Sequence, residues 1–472
     1  MAELASLRSL LGADNVLTGE AMAPFLTDWR ERYSGEAEAV VRPGSTEEVA
    51  KVVLWCREHG LSIVPQGGNT GLCGGATPDH RGRQIVLSLS RLNRIRHVDT
   101  DNDTMIVEAG CILQNVQDAA EQAGRLFPLS LAAEGSCTIG GNLATNAGGT
   151  QVLRYGNTRE LCLGLEVVCA DGQIWHGLRG LRKDNTGYDL RDLFIGSEGT
   201  LGIITAASLK LFPLPVAQCT AMLALASLED AVKMLSLARA GFGASLTGFE
   251  VMRHNCLDGV VRCYPEQRLP FDNDSAQFPW FALLELSDNE SEAHARERFE
   301  VVLSDAIEAG VVQDAVIAES VAQSQALWHL RESIPLSEKS FGKSVKHDVS
   351  IPVSSIPAFV EKTNALLQAN FAGIEHVIFG HLGDGNLHYN VARGTAYGED
   401  ELLAKQSEIY QVVHDSVHAF HGSISAEHGI GQLKRDLLSH YKDPVELALM
   451  HKIKQALDPD GVMNPGKVLQ ER

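Results

Sequence analysis

The sequence contains no Cys-x-x-Cys pair, no long apolar run and no excess of basic residues, and each absence excludes a class of protein. Its nine cysteines, an odd number, are scattered through apolar or glycine-rich segments, which predicts buried thiols in a reducing, cytoplasmic compartment rather than a disulfide framework. No apolar run approaches the ~20 residues of a membrane-spanning helix, so we expect no transmembrane segment. With 60 acidic against 40 basic residues, the formal charge of -20 argues against nucleic acid or an anionic membrane as a partner. An anionic substrate would therefore need a local group of cations.

The 472 residues are enough for two or three domains, each with its own core. The first eleven residues have leucines at helical spacing and Arg8 as their one basic residue, which predicts an amphipathic helix rather than a targeting peptide. Further on, Ser45-Thr46-Glu47-Glu48 is typical of a capping box. The apolar spacing that follows it predicts a helix that ends at Gly60 and leads into a short strand.

Three glycine-rich segments follow within about 140 residues of one another, at 65–75, 135–149 and 196–205. The first does not match the dinucleotide fingerprint or the P-loop pattern. Each segment alone could be an ordinary turn. Glycines let successive backbone N–H groups point toward one anion and let the backbone approach a large flat ligand. Together the three segments indicate a long, phosphate-bearing cofactor.

Pro213 and Pro215 close this part of the chain and predict a domain boundary. The segments after it follow the order β-α-β-β-α-β of a ferredoxin-like domain, with a polar insertion at about 254–277. In 345–351, polar and apolar residues alternate as in a strand, with Lys346, Asp348 and Ser350 on one face. The six elements of the ferredoxin-like order are strand 219–225, helix 227–240, strands 245–251 and 279–287, helix 290–309 and strand 311–320. Helices are predicted at 322–334, 359–369, 401–420 and 444–457.

Histidines flank a glycine-rich turn in Gly380-His381-Leu382-Gly383-Asp384-Gly385-Asn386-Leu387-His388. If 383–386 form the turn of a hairpin, His381 lies opposite His388, close enough for both to bind one divalent metal. Glu427 could supply a third ligand. Two histidines and one carboxylate leave positions open for substrate, which is typical of a catalytic metal. The alternative is a glycine-rich hairpin with two surface histidines.

The sequence resembles the FAD-linked oxidases and dehydrogenases of the vanillyl-alcohol-oxidase type, in the branch that acts on D-2-hydroxy acids and is most like D-2-hydroxyglutarate dehydrogenases. The resemblance covers nearly the whole chain and is carried by the segments 65–72, 135–149, 183–190, 196–205, 381–390, 425–431 and 464–467. It implies an α+β fold with three parts. These are a PCMH-type two-part FAD-binding domain (1–215), a substrate or cap domain with a ferredoxin-like core and the metal hairpin (216–400), and a C-terminal helical segment packing on both (401–472).

By this resemblance FAD is bound without a covalent link, because Asn69 stands where family members with covalent flavin often have His, and Cys137 is out of register for a cysteine link. The residues implied in FAD binding are Pro65, Gly67, Gly68, Asn69, Thr70, Gly71, Leu72, Gly135, Ser136, Gly140, Gly141, Asn142, Thr145, Asn146, Gly148, Glu198, Gly199, Ile203 and Asn464. The metal, usually zinc, is assigned to His381, His388 and Glu427.

His428 matches the family's catalytic base, which also contacts the substrate, and Asn390 matches a substrate ligand. Arg331 and Lys346 match cations that hold substrate carboxylates in the hydroxyglutarate branch, although either could simply belong to a solvated face. Pro335 departs from the pattern, because mammalian-type relatives have a hydroxyl residue there that helps to bind the distal carboxylate. The identity of the diacid therefore stays open.

The implied reaction is oxidation of a D-2-hydroxy acid, with D-2-hydroxyglutarate as the first candidate, to the 2-oxo acid by hydride transfer to flavin N5. D-Malate, D-lactate and glycolate stay open as substrates, and an electron-transfer flavoprotein or a quinone as the electron acceptor. The oligomeric state also stays open, with a homodimer as one alternative. Two other functions compete. A metal-dependent hydrolase could use the same His/His/Glu set, and the chain could be a flavin-binding subunit without activity of its own.

Overall fold

The structure is a computed structural model that describes residues 2–271 and 277–471. Its helices are α1 Ala2–Leu11, α2 Ala23–Leu26, α3 Thr46–Glu58, α4 Leu113–Gln122, α5 Ile139–Thr145, α6 Val152–Tyr155, α7 Arg191–Phe194, α8 Leu228–Phe242, α9 His254–Cys263, α10 Glu292–Glu308, α11 Val321–Glu332, α12 Ile334–Ser337, α13 Ile356–Asn370, α14 Glu399–Ala404, α15 Gln406–Ala419, α16 Arg435–Tyr441 and α17 Pro444–Leu457. Its strands are β1 Val16–Leu17, β2 Ala39–Val41, β3 Ser62–Gln66, β4 Gln84–Ser88, β5 Ile95–Asp99, β6 Thr104–Glu108, β7 Arg125–Leu126, β8 Cys162–Cys169, β9 Ile174–Gly177, β10 Gly202–Lys210, β11 Phe212–Pro213, β12 Ala217–Leu225, β13 Leu246–Arg253, β14 Trp280–Asp288, β15 Asp314–Ile317, β16 Ser344–Val345, β17 Asp348–Ser350, β18 Glu375–His381 and β19 Asn386–Ala392. None of the helices in these described ranges is long and apolar enough to cross a membrane.

The chain divides into two compact units. Unit 1 comprises Met1–Gly149, Gly156–Leu214 and Glu427–Arg472, and unit 2 comprises Thr150–Tyr155 and Pro215–Ala426. The boundary lies one residue before the predicted one, but the predicted third domain, 401–472, is divided between the units. Helix α15 joins unit 2, where Ser416 is hydrogen-bonded to Thr363 of α13. The last residues join unit 1, where Met463 forms a parallel bridge with Ile63 of β3.

Unit 1 contains two main sheets, as the two-part FAD-binding domain requires. The first has the order β1-β2-β4-β3 with β2, β4 and β3 parallel, and the second is antiparallel with the order β5-β6-β10-β8-β9. Parallel strands are usually covered on both faces and read as continuous apolar runs. Strand β4 fits this rule, because all five of its residues are buried.

Helix α3 begins where the capping pattern predicts. The Ser45 side chain accepts a hydrogen bond from the N–H of Glu48, as expected for an N-cap residue. The Glu48 carboxylate reaches the N–H of Gly44 rather than that of Ser45, so the reciprocal half of the box is displaced by one residue. After the helix, Gly60 adopts a φ of 63°, a left-handed conformation that favours glycine.

The glycine-rich segment 135–149 is not only a loop, because it contains helix α5. Its N-cap, Thr138, is extended, and its C-cap, Asn146, is left-handed with a φ of 50°. A Cβ on Gly140 would lie 2.6 Å from the Cβ of Ala109, so glycine here allows the helix to pack closely against the end of β6. A segment that the sequence marks only as glycine-rich therefore includes a helix.

Unit 2 is built on an eight-stranded sheet with the order β15-β12-β14-β13-β18-β19-β16, in which β17 also pairs with β19. The first four strands have the order 4-1-3-2 of the ferredoxin-like plan, which confirms the predicted core. The insertion after β13 is less polar than predicted, because α9 buries Cys256, Leu257 and Val260 in the core cluster on one face of this sheet. Residues 272–276 of the insertion lie outside the described residues.

Candidate functional site

The histidine hairpin forms with a register different from the predicted one. His381 pairs with Asn386, and His388 pairs with Phe379. The loop is therefore 382–385, one residue earlier than expected, and it is closed by the N–H of Gly385 donating to the carbonyl of His381 at 3.1 Å. The Asp384 side chain also accepts from the N–H of Asn386 at 3.0 Å. These two hydrogen bonds determine which four residues form the loop, and the spacing of the glycines alone does not specify it.

Both histidines nevertheless lie on one face of the sheet. The new pairing moves His381 by two residues relative to its partner strand, and a shift of two preserves the face. The pair is diagonal rather than directly opposite, and the centroids of the two imidazole rings are 5.7 Å apart. Asn390 shares this face, because it lies two residues after His388 on β19. The convergence of the two rings does not depend on the predicted register.

Glu250 supports this group from the neighbouring strand. It lies in β13 beside β18, where Val251 pairs with Gly380. One carboxylate oxygen is 2.7 Å from Nδ1 of His381, and the other accepts from Nε of Arg331 at 2.8 Å. Burial acts to raise the pKa of Glu250, but the adjacent charges of His381 and Arg331 outweigh it and hold the pKa below its ordinary value.

Arg331 is held almost completely inside unit 2. Its side chain is 6% exposed, its Nε and Nη2 both contact Glu250, and its guanidinium lies 5.0 Å from the centroid of Phe379. Within the described ranges, no protein acceptor takes a hydrogen bond from its Nη1. The solvated-face alternative for Arg331 is therefore wrong. The anchored guanidinium has one amino group left over for a ligand.

Lys346 and Asn390 share a second buried acid, Glu338. Lys346 Nζ is 2.6 Å from one Glu338 oxygen, and Asn390 Nδ2 donates to the other at 2.9 Å. The side-chain Oδ1 of Asn390 in turn accepts from the N–H of His347 at 3.1 Å. These contacts fix the two side chains predicted to bind substrate, while the Lys346 side chain stays 28% exposed.

Sequence reasoning missed both supporting acids. Glu250 stands alone in the apolar run Phe249-Glu250-Val251-Met252, and Glu338 stands in a short 3-10 helix. An ionisable residue in an otherwise buried strand needs a partner. An acidic residue within an apolar strand was therefore the feature of the sequence that could have identified Glu250. Nothing comparable marks Glu338, because its neighbours in sequence are polar.

In unit 1, hydrogen bonds to the Glu427 side chain and from later backbone N–H groups hold the segment that begins with Glu427 and His428. The N–H of Gly149 donates to a Glu427 oxygen at 2.9 Å. Three residues further on, the N–H groups of Ile430 and Gly431 donate to the two oxygens of Glu198 at 2.7 and 2.9 Å. Burial raises the pKa of Glu198, although these two hydrogen bonds oppose the increase. Glu198, predicted as a cofactor residue, thus anchors this segment.

The loop 67–71 has the features that a pyrophosphate requires. A Cβ on Gly68 would lie 2.0 Å from the carbonyl oxygen of Ser136, and one on Gly67 would lie 2.3 Å from Oγ1 of Thr138. Asn69 adopts a φ of 54°. In the part of the chain that the structure describes, the N–H groups of 68–71 donate to no protein acceptor. Successive unoccupied donors beside close-packed glycines fit a bound anion.

Asn464 has the features expected near a ring that carries polar atoms. Its Nδ2 donates to the carbonyl oxygens of Gly75 and Glu198 at 2.9 and 2.8 Å. Its Oδ1 is buried and has no hydrogen-bond partner among the described residues. A buried acceptor without a donor is rare in proteins, and it fits a ligand that carries an N–H group.

Eight of the other predicted cofactor residues fall into two groups. Several have structural contacts: Asn142 Nδ2 reaches the Cys137 sulfur at 3.6 Å, Thr145 Oγ1 donates to the Gly141 carbonyl, and Asn146 Oδ1 accepts from the N–H of Arg159. Pro65 lies in β3, where its ring would meet a Cβ on Gly199, and Ile203 is buried in β10. By contrast, a Cβ on Gly71 or Gly135 would meet nothing within 4 Å. Residues of the first group hold the loops in shape through contacts within the protein. Gly71 and Gly135 have open space beside them.

None of the nine cysteines forms a disulfide, as predicted. Burial raises the pKa of Cys111 to about 11 and that of Cys162 to about 12. These thiols therefore stay protonated near neutral pH, as expected for inert core residues.

Two protein-family models match the chain. "FAD linked oxidases, C-terminal domain" matches residues 214–468, and "FAD binding domain" matches residues 37–177. Among solved structures, p-cresol methylhydroxylase with substrate bound superposes with a TM-score of 0.77 at 19% identity, over 99% of this chain and 96% of that one. The 4-ethylphenol oxidase of Gulosibacter chungangensis gives 0.75 at 19% identity, over 100% and 97% of the two chains. These structures support the fold.

Curated relatives are more similar. The D-2-hydroxyglutarate dehydrogenase of Xanthomonas citri pv. viticola is 40% identical over 94% of this chain and 91% of its own. The mitochondrial D-2-hydroxyglutarate dehydrogenase of Arabidopsis thaliana is 38% identical over 99% and 81% of the two chains. The D-2-hydroxyglutarate dehydrogenase of Stutzerimonas stutzeri is 36% identical over 98% and 97%.

Proposed function

The chain belongs to the FAD-linked oxidases and is an FAD-dependent dehydrogenase of that family, and from this premise we propose that it oxidises D-2-hydroxyglutarate to 2-oxoglutarate. D-2-Hydroxyglutarate is the substrate named for the full-length relatives in bacteria, plants and animals. The observation that supports this proposal most directly is the set of side chains on one face of the unit 2 sheet. There, two converging histidines and Asn390 lie with two anchored cations, each held by a buried acid.

We propose His381, His388 and Glu427 as ligands of a divalent metal, with zinc as the first candidate. The donor set fits, because neutral imidazoles and a carboxylate are common ligands of catalytic zinc. Glu250 holds Nδ1 of His381 and so leaves Nε2 as the ring nitrogen for a metal ion, an arrangement frequent in metal sites. A bound metal would act as a Lewis acid that lowers the pKa of a substrate hydroxyl.

His428 is proposed as the general base. An imidazole has an ordinary pKa near 6.5, so it can accept the proton of a substrate hydroxyl at neutral pH. His428 follows Glu427 directly in the chain, and the hydrogen bonds of Gly149, Ile430 and Gly431 restrict the segment that carries both. This support favours a fixed position for the imidazole, which general-base catalysis requires.

FAD is proposed to bind non-covalently in unit 1, with its pyrophosphate at 67–71 and with Asn464 near its ring. The open donors of 68–71 and the acceptor Oδ1 of Asn464 support these positions. When bound, FAD supplies the hydride acceptor of the reaction. The chain's own contribution is to hold the substrate carbon in place and to remove the hydroxyl proton.

Arg331 and Lys346 are proposed to bind the distal carboxylate. In a chain of net charge -20, a dianion needs local cations, and these two are pre-positioned by Glu250 and Glu338. Pro335, the departure from the family pattern, lies in α12 between two buried serines. Ser333 accepts from Gln267 and Ser337 donates to the Ile334 carbonyl, so both hydroxyls already have partners. The proposed recognition of the diacid is therefore based on the two cations rather than on these hydroxyls.

The test is a substrate panel with the purified protein under anaerobic conditions, read from the loss of flavin absorbance. D-2-Hydroxyglutarate, D-malate, D-lactate, glycolate and L-2-hydroxyglutarate would be compared at equal concentration. We expect the fastest bleaching with D-2-hydroxyglutarate and D-malate next. Preference for D-lactate or glycolate would remove the diacid assignment. A flavin that no hydroxy acid reduces would favour a flavin-binding subunit. Electrons are proposed to leave to an electron-transfer flavoprotein or a quinone, which the same reduced protein can test as acceptors.

A further inference from the structure

We propose that Glu250 is a positioning residue that couples the proposed metal ligand His381 to the substrate cation Arg331. The proposal rests on the function proposed above, but its first readout is independent of substrate. Glu250 is 1% exposed, and each carboxylate oxygen serves a different partner. One oxygen contacts Nδ1 of His381 at 2.7 Å, and the other contacts Nε and Nη2 of Arg331 at 2.8 and 2.7 Å.

These contacts give Glu250 two separate tasks. For His381, an acceptor at Nδ1 fixes the orientation of the ring and presents Nε2, the other nitrogen, to a metal. For Arg331, the carboxylate supplies the counter-charge of a guanidinium that is only 6% exposed. Because the same planar group performs both tasks, displacement of either partner disturbs the other. One buried acid thus determines metal affinity and the position of the substrate arginine.

The same sheet contains a matched control in Glu285. It lies on the adjacent strand β14, is also almost fully buried, and contacts Trp328 Nε1 at 2.6 Å and Thr220 Oγ1 at 3.4 Å. Neither partner is charged, and neither is a proposed site residue. Glu285→Gln therefore changes a buried acid of the same sheet without changing the support of His381 or Arg331.

Glu250→Gln separates the two acceptor oxygens chemically. The amide offers one oxygen and one NH₂ group, so it can accept from His381 or from Arg331 but must present a donor to the other. The side chain keeps its size, which limits effects on packing. A variant that folds but mismatches one partner is therefore expected.

The experiment measures the zinc dissociation constant of FAD-containing protein by chelator competition, without substrate, for wild type, Glu250→Gln and Glu285→Gln. We expect Glu250→Gln to bind zinc about 10- to 100-fold more weakly and Glu285→Gln to match wild type. At saturating zinc, we also expect Glu250→Gln to raise KM for D-2-hydroxyglutarate more than KM for D-lactate, because Arg331 is displaced.

Three outcomes would overturn the proposal. Unchanged zinc affinity in Glu250→Gln, with a lower melting temperature, would make Glu250 a structural residue. Equal loss of zinc affinity in both variants would indicate general damage to the sheet. Equal increases in KM for the diacid and D-lactate would remove the coupling to Arg331. If the wild type oxidises no D-2-hydroxy acid, the proposed function fails, while the zinc measurement still decides the metal half of this proposal.

Discussion

Glu285 should make unit 2 less stable as the pH rises. Its carboxylate is buried between Trp328 and Thr220 without a cationic partner in the described part of the chain, and burial raises its pKa from 4.5 to about 7. Between these two values the native state keeps the proton and the unfolded state loses it. The unfolded state then binds fewer protons, so the free energy of unfolding decreases by about 1.4 kcal/mol per pH unit. The stabilising protonation is fully present below pH 4.5 and is lost as the pH rises through about 7.

The total effect is roughly 3.5 kcal/mol, obtained by multiplying the shift from 4.5 to about 7 by about 1.4 kcal/mol per unit. Glu285→Gln cannot ionise, so it should gain roughly 2.5 kcal/mol of this total relative to wild type between pH 5 and pH 8. Equilibrium urea unfolding of FAD-containing protein, followed by near-ultraviolet circular dichroism at several pH values, measures the difference. Because other titrating groups are common to both proteins, they cancel in the comparison. Parallel pH profiles for the two proteins would refute the reasoning.

Acid precipitation of the yellow protein should release FAD into the supernatant, and flavin that stays in the pellet would disprove non-covalent binding. His388→Ala, or exhaustive chelation of the wild type, should abolish substrate-dependent flavin reduction while FAD stays bound. Normal turnover of the metal-free protein would make the hairpin histidines structural. Lys346→Met should lower kcat/KM for D-2-hydroxyglutarate about 10- to 100-fold more than for D-lactate, because a charge-assisted contact contributes roughly 1.5 to 3 kcal/mol. Equal losses would place Lys346 at the α-carboxylate or in the fold.

Features that depend on periodic apolar patterns could be predicted from the sequence. The order of the ferredoxin-like elements and helix α3 are of this kind, because local caps and buried faces determine them. The shared face of His381 and His388 also needed only the two-residue period of strands. The pairing register of the two strands could not be predicted in the same way, because the hydrogen bonds of Asp384 and Gly385 determine where the loop closes.

Contacts between residues far apart in sequence could not be predicted. Glu250 and His381 are separated by 131 residues, and Glu338 and Asn390 by 52. Pairing of β13 with β18 brings the first pair together, and the second contact joins a 3-10 helix to β19. No local pattern encodes either contact. The two roles of the glycines in 135–149 were also indistinguishable, because a glycine needed for helix packing looks the same as one needed for a turn. Gly140 shows the difference only when Ala109 is in place.

The division of the chain has a consequence for how the protein folds during synthesis. Unit 2 uses one continuous stretch, 215–426, together with the earlier residues 150–155, so all of it is synthesised before residue 427. Unit 1 lacks this advantage. Its strand β3 receives the backbone of 462–464, through Ile63 donating to Val462 and Asn464 donating to Ile63. Such pairing across about 400 residues has a high contact order and is slow to form. Until this pairing forms, the edge of β3 at Ile63 lacks the backbone partners that 462–464 supply.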